Sequence, residues 1–290
     1  MRILTPIMDT LVSTDWLSRH LDDPDLVALD CMVLTDEGPD GITNRSGYED
    51  YRRGHIPSAG FADLKGDLCD QSNPIEFSLP SPEAFCAAMG KLGVGDGSRV
   101  VLYDALLSAW AARVWWMLRW VGFDQAAILD GGLNAWRAEG RPVSTDPATH
   151  PERHLTPRPR PELIADRDEV FTAIDDGDVQ LIDTLPSEIY RGEMSMYARP
   201  GHIPTAINIS GTELVDESGH YRPLPELDAM HKGDRTKRAI TYCGGGILAS
   251  SNAFVMTRLG FEDVAVYTAS LQEWAPDQRN PMTVDQPPPE

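Results

Sequence analysis

Two α/β domains, each a parallel sheet flanked by helices, are predicted for this chain by three observations. A set of landmarks occurs twice in the same order, short β-rich runs alternate with helical patterns in both sets, and a proline-rich stretch separates them. The first set contains Gly54-His55-Ile56-Pro57-Ser58-Ala59 and the second Gly201-His202-Ile203-Pro204-Thr205-Ala206. Downstream of the first come an apolar strand ending in Tyr103-Asp104, a helix, Gly122-Phe123, another strand and Leu133-Asn134-Ala135-Trp136. Downstream of the second come Tyr242-Cys243, a helix, Gly260-Phe261, a strand and Leu271-Gln272-Glu273-Trp274. One long-period repeat marks a duplicated domain rather than a solenoid. The alternation within each copy implies parallel strands joined by right-handed crossovers. With 290 residues, each half is long enough to bury its own core.

The elements follow in order. In the first half, strands are expected at 26–30, 61–63, 99–103 and 126–129, each a short apolar run. Ser81-Pro82-Glu83 opens a helix, with a capping residue followed by proline at the first helical position. Residues 109–121 are nearly all apolar, so this helix is buried on most sides and its Trp115-Trp116 pair belongs to the core. In the second half, strands are expected at 239–242 and 264–267, with a helix over 248–259. The domain boundaries read as 1–143 and 164–284, with a linker at 144–163 and a disordered tail at 285–290. Prolines at 147, 151, 157, 159 and 161 make the linker a stiff, extended tether.

Composition narrows the function. A net charge of -20 argues against nucleic acid or an anionic membrane as partner. It also means that an anionic substrate needs a local cationic patch. No apolar run is long enough to cross a membrane. Met1-Arg2-Ile3-Leu4, followed soon by Asp9, lacks the apolar core of a signal peptide, so a cytoplasmic location is expected. The four cysteines, Cys31, Cys69, Cys86 and Cys243, show neither CxxC nor zinc-type spacing. The first three read as structural free thiols, and no metal or organic cofactor is implied.

Chemistry concentrates at Tyr242-Cys243-Gly244-Gly245-Gly246-Ile247-Leu248. A strand delivers a cysteine into a glycine-rich loop that opens directly into a helix. Such a loop turns backbone N–H groups inward, and the helix start adds partial positive charge, so the junction can cradle an anion. A thiolate held there is a nucleophile near neutral pH. In doubly wound sheets ligands sit at the carboxyl ends of strands, where this loop lies. The matching loop of the first half carries Asp104 in place of the cysteine, where it reads as a capping or turn residue. His55 and His202 occur in both halves, only one of which has the cysteine, and so read as structural. A cysteine phosphatase needs an arginine six residues after its cysteine, and here that residue is Ala249.

On these residues the chain resembles the tandem-domain rhodanese family of thiosulfate and 3-mercaptopyruvate sulfurtransferases. The resemblance is carried by Tyr48 through Ala59, Val100 to Gly122, Leu129 to Val143, Gly201 to Asn208 and Tyr242 to Gly260. It implies that Cys243 takes a sulfane sulfur as a persulfide and passes it to cyanide, a thiol or thioredoxin. Gly244, Gly245, Gly246, Ile247 and Leu248 would form the cradling loop. Two domains facing each other complete a cleft within one chain, so a monomer is expected.

Departures from the family pattern bear on the donor. Thiosulfate-using members carry Arg-Lys after the cysteine, where this chain has Gly244 and Gly245. Mercaptopyruvate-using members carry a serine that works with a histidine and an aspartate of the first domain. Here Gly245 lacks the hydroxyl, Asp67 stands in for the aspartate, and Phe77 falls at the histidine. The family's first carboxylate-gripping arginine falls on Ile189, with Arg191 two residues on, and Arg199 is nearest to the second. Arg191, Arg199, Trp110 and Asp67 are thus the substrate-binding candidates, Trp110 competing with a purely core role. Transfer from thiosulfate needs no proton relay, so thiosulfate is expected over 3-mercaptopyruvate. The alternative from another class is a persulfide carrier or protein-binding module without turnover on small donors.

Overall fold

The computed structural model describes residues 8–38 and 41–285. The first half runs β1 (Leu11–Val12), α1 (Thr14–His20), β2 (Leu26–Asp30), β3 (Val33–Gly38), β4 (Gly41–Ser46), α2 (Tyr48–Arg53), β5 (Gly60–Phe61), α3 (Pro82–Lys91), β6 (Arg99–Tyr103), α4 (Ala109–Trp120), β7 (Ala126–Leu129) and α5 (Gly132–Ala138). The second runs β8 (Ile164–Ala165), α6 (Arg167–Ala173), β9 (Val179–Asp183), α7 (Ser187–Tyr190), β10 (Ile207–Asn208), α8 (Leu224–Met230), β11 (Arg238–Tyr242), α9 (Ile247–Arg258), β12 (Val264–Tyr267) and α10 (Ser270–Trp274).

The two sheets have orders β1-β7-β6-β2-β5 and β10-β9-β11-β12-β8. Every pairing within them is parallel. Reversing the second order matches the two strand for strand, which is the architecture the repeat implies. Helices cover both faces, so β2, β7 and β12 are buried along their whole length and read as apolar runs rather than alternating ones. The antiparallel hairpin β3–β4 lies outside the repeat and outside the expectation. Its Thr35 and Asp36 are polar, so no apolar pattern announces a strand. At α3 the Ser81 hydroxyl accepts the Ala84 N–H at 3.2 Å, ahead of Pro82 at the first helical position.

The halves meet where α4 packs against α9, with Trp115 edge-on to Phe254 at 4.9 Å between ring centroids. Both tryptophans of the pair are buried, and their indole N–H groups donate to Ala126 and Leu163 carbonyls. The proline-rich segment lies extended along the first half. Its Arg153 and Arg158 amides donate to the carbonyls of Gly90 and Val121, beyond the ends of local elements. His55 and His202 both stack on a tyrosine, Tyr51 and Tyr190, and both hold that tyrosine's carbonyl through Nδ1. The tail at 286–290, like the first seven residues, lies outside the described residues.

One duplicated feature carries a pH prediction. Asp30 ends β2 and Asp183 ends β9, both buried, each accepting the N–H two residues on. Burial pushes each carboxyl up from 3.8 to about 7. The folded chain thus keeps protons that the unfolded chain releases, so stability falls as pH rises from about 4 to about 7 and levels off above. The double variant Asp30→Asn, Asp183→Asn is expected to lose most of that fall and to gain about 1–3 kcal/mol at pH 8 relative to the parent. Thermal unfolding at pH 5 and pH 8 checks this; an unchanged difference between the two pH values would refute it.

Candidate active site

The Cys243 loop is fixed from several directions. The Cys243 N–H donates to Ser270 Oγ at 3.1 Å, while the Cys243 and Gly244 carbonyls accept the Leu271 and Gln272 N–H groups at 3.1 and 3.0 Å. The start of α10 therefore clamps the loop. Gly246 closes the turn into α9 at φ 79°, and a Cβ there would stand 2.8 Å from the Thr268 carbonyl oxygen and 2.9 Å from Arg113 Nη1. Glycine is required by both conformation and space. The Gly246 N–H donates to Cys243 Sγ at 3.1 Å, and the residue is only 3% exposed.

The first half shows what this junction holds. The Asp104 carboxylate accepts the N–H groups of Leu106, Ser108, Trp110 and Ala111 at 2.8, 3.1, 3.1 and 3.1 Å. Burial raises its pKa and these four N–H groups draw it back down. The same strand–loop–helix junction is thus an acceptor site in both halves, filled by a carboxylate in one and by a thiol in the other.

Above the sulfur opens a cavity of about 320 Å³. The first half contributes Phe77, Leu106, Leu107 and Trp110, and the second Leu185, Ile189, Met196, Tyr197, Ile247 and Leu248. Thr35, Asn44 and Gln272 add neutral polar groups, and none of the lining residues is charged or a histidine. Of the residues expected from sequence, Cys243, Gly244, Gly245, Ile247, Leu248 and Trp110 converge here, with Phe77 against Trp110 at 5.1 Å between centroids. Gly246 lies behind them. A wider groove of about 690 Å³, between α5 and residues 212–222, contains no cysteine.

Three expected substrate-binding residues do not line this cavity. Asp67 is exposed and is not among the lining residues. Arg191 is engaged bidentately by Glu193 and stays outside the cavity. Arg199 spends its guanidinium on the carbonyls of Ala275, Asp277 and Asn280, where it ties down the chain after α10. The family resemblance placed these cations near the cleft, but local partners and backbone acceptors took them.

Three other residues surround the loop without a signal in the sequence. A Cβ on Gly244 would overlap the Tyr197 hydroxyl, and one on Gly245 would stand 2.7 Å from Gln272 Nε2. The spaces that side chains after the cysteine would fill are therefore taken by two neutral donors from distant segments. Gln272 Oε1 accepts the Glu76 N–H at 3.0 Å across the halves, which turns its amide nitrogen toward the loop. The third residue is Arg113 of α4, wholly buried, whose Nη2 donates to the Phe77 carbonyl at 2.8 Å. Its Nε and Nη1 have no partner among the described residues. Burial pushes Arg113 down to about 10, against the pull of Cys243 and Cys69. In the sequence Arg113 is one of two arginines in an otherwise apolar helix, and its direction is set only when α4 meets the Cys243 loop.

Among the described residues no helix is long and apolar enough to cross a membrane, and no cluster of histidine, cysteine and carboxylate side chains has metal-binding geometry.

Comparison with known proteins gives the same assignment to both halves. Residues 13–139 and 166–277 each match the rhodanese-like domain. The chain is 33% identical to the 3-mercaptopyruvate sulfurtransferase of Escherichia coli K12, across 91% of this chain and 94% of that protein. It is 31% identical to the thiosulfate sulfurtransferase of Gallus gallus, across 91% and 92%. The crystal structure of SseA from Escherichia coli superposes with a TM-score of 0.81 at 32% identity, over 91% of this chain and 99% of that one. Two rhodanese-like domains, matched nearly end to end by enzymes of this kind, make the chain a member of the tandem rhodanese sulfurtransferases.

Proposed function

We propose that Cys243 is the nucleophile of a two-step sulfur transfer. Its thiolate attacks the sulfane sulfur of a small donor, the donor's bond to that sulfur breaks, and a persulfide remains on Cys243. Cyanide or a thiol, thioredoxin included, then takes the outer sulfur and restores the thiolate. The observation that carries this reading is the position of Sγ, at the floor of the cavity with the Gly246 N–H donating to it at the start of α9. Preorganised N–H groups stabilise the thiolate and the persulfide anion without a side-chain base. Arg113 adds a positive charge behind the loop, in a site dry enough for one charge to matter.

The relatives are named for two different donors, and the cavity bears on the choice. A preference for thiosulfate rests on the absent proton relay and would draw on backbone N–H groups and on Arg191 or Arg199 for attraction; neither arginine lines the cavity. Within one chain both halves furnish walls, which supports action as a monomer. Four free cysteines suit a reducing compartment such as the cytoplasm.

Intact-protein mass spectrometry after brief exposure to thiosulfate and, separately, to 3-mercaptopyruvate, followed by cyanide, tests the scheme. The expected result is a gain of one sulfur on Cys243 that cyanide removes. Sulfur that loads but is not released to cyanide or thiols would favour a carrier role over turnover.

A further inference from the structure

We propose that the sulfur donor suited to this cavity is an organic persulfide with an uncharged, apolar substituent, rather than an oxyanion or an α-keto acid. This rests on Cys243 being the nucleophile. Among the described residues the walls carry no charged side chain, although an anionic donor needs one most in a chain whose net charge is -20. Three cations stand beside lining residues: Lys65 over the Phe77 ring at 5.3 Å, Arg45 next to Asn44 and Arg191 two residues from Ile189. Lys65 pairs with Glu76, Arg45 with Asp36 and Arg191 with Glu193, while Arg113 stands behind the loop rather than in the cavity. A dianion entering such walls would lose its hydration without compensation.

The apolar character extends to the mouth. Leu106 and Met196 line the cavity and remain 48% and 41% exposed, so the rim itself offers hydrophobic contact. Inside, Phe77 and Trp110 present an aromatic wall, and about 320 Å³ is at the small end of ligand cavities, enough for one ring. Tyr197 and Gln272 occupy the space beside Gly244 and Gly245 as neutral hydrogen-bond donors. Burial raises the Tyr197 phenol far above its ordinary range, so it stays an O–H donor.

The chemistry balances without an oxidant or reductant. The Cys243 thiolate attacks the terminal sulfur of R–S–SH, a Cys243 S–S bond forms, and the donor S–S bond breaks. The electron pair leaves on R–S⁻, the transferred sulfur keeps its proton and its oxidation state, and Cys243 becomes the hydropersulfide. The leaving R–S⁻ accepts hydrogen bonds from the Tyr197 hydroxyl and the Gln272 amide, and both are donors that need no charge.

The test compares the rate of sulfur gain on Cys243 from benzyl hydropersulfide, glutathione hydropersulfide and thiosulfate. The first two share the reacting group and differ in the charge of the substituent. Benzyl hydropersulfide is expected to load at least about tenfold faster per unit concentration than either of the others. Equal or faster loading from glutathione hydropersulfide or thiosulfate would overturn the proposal while leaving Cys243 as nucleophile intact. Sulfur gained on a different cysteine, or on none, would overturn both. Two variants in different elements test the charge argument separately. Ile189→Arg and Gly245→Lys each place a cation in the cavity, the second needing only the flexible end of Gln272 to move. Thiosulfate loading is expected to rise at least about tenfold in whichever of them unfolds at the parent's temperature. No rise in such a folded variant would mean that missing charge does not set the donor.

Discussion

Replacing Cys243 with serine is expected to abolish sulfur loading from every donor, a loss of at least about four orders of magnitude. The serine hydroxyl is far too weakly acidic to supply the anion, and no other thiol has the setting to replace it. Cys31 is wholly buried, and its thiol is pushed well above the ordinary range by burial and by Asp30. Burial likewise raises Cys69, and carries Cys86 up to about 11. None of these three lines the cavity. Cys31→Ser, Cys69→Ser and Cys86→Ser should therefore keep loading within about threefold of the parent. The fold should tolerate the serine at 243, because its oxygen can accept the same Gly246 N–H. Mass spectrometry after donor exposure reads the result directly, and sulfur found on the Cys243→Ser protein would remove the site assignment.

The second large effect is expected at Arg113. A buried charge beside the Gly246 turn that holds the sulfur, at an effective dielectric near 20, is worth on the order of 2–4 kcal/mol. Arg113→Met should thus slow sulfur loading at pH 7 by about 10- to 100-fold. Stability should move in a different pattern. Removing a buried cation with two unpartnered nitrogens relieves desolvation, while the Phe77 carbonyl loses its donor, so the net change should stay within about 2 kcal/mol. Arg113→Lys keeps the charge and should restore much of the rate. A merely structural arginine would predict the reverse: rate loss that follows thermal unfolding and no rescue by lysine.

The legible part of this molecule is the part encoded over short distances. Residues 99–103, 126–129 and 264–267 read as strands because apolar runs between turn residues have few alternatives, and all three are strands over those spans. The helix expected over 109–121 ends one residue earlier, at Trp120. Two-residue β1, β8 and β10 give no such pattern, since their pairing partners are what make them strands. The hairpin β3–β4 was hidden for a related reason: its polar residues satisfy each other across the ladder, through contacts such as Thr35 Oγ1 to Asn44 at 3.1 Å.

The same division runs through the site. The amino-acid order alone determined two parallel-sheet halves, Asp104 at the junction of one and a cysteine at the entry to α9 in the other, because strand, glycine turn and helix start are contiguous. Tertiary structure decided what surrounds that cysteine. Arg191 and Arg199 were the nearest matches to the family's arginines, but Glu193 and the carbonyls after α10 engage them outside the cavity. Tyr197, Gln272 and Arg113 come from segments far apart in sequence and meet Gly244, Gly245 and Gly246 only after the sheets form and α4 packs on α9. A loop's shape follows from its own backbone, whereas the charge of a cavity depends on which distant side chains find no better partner than its walls.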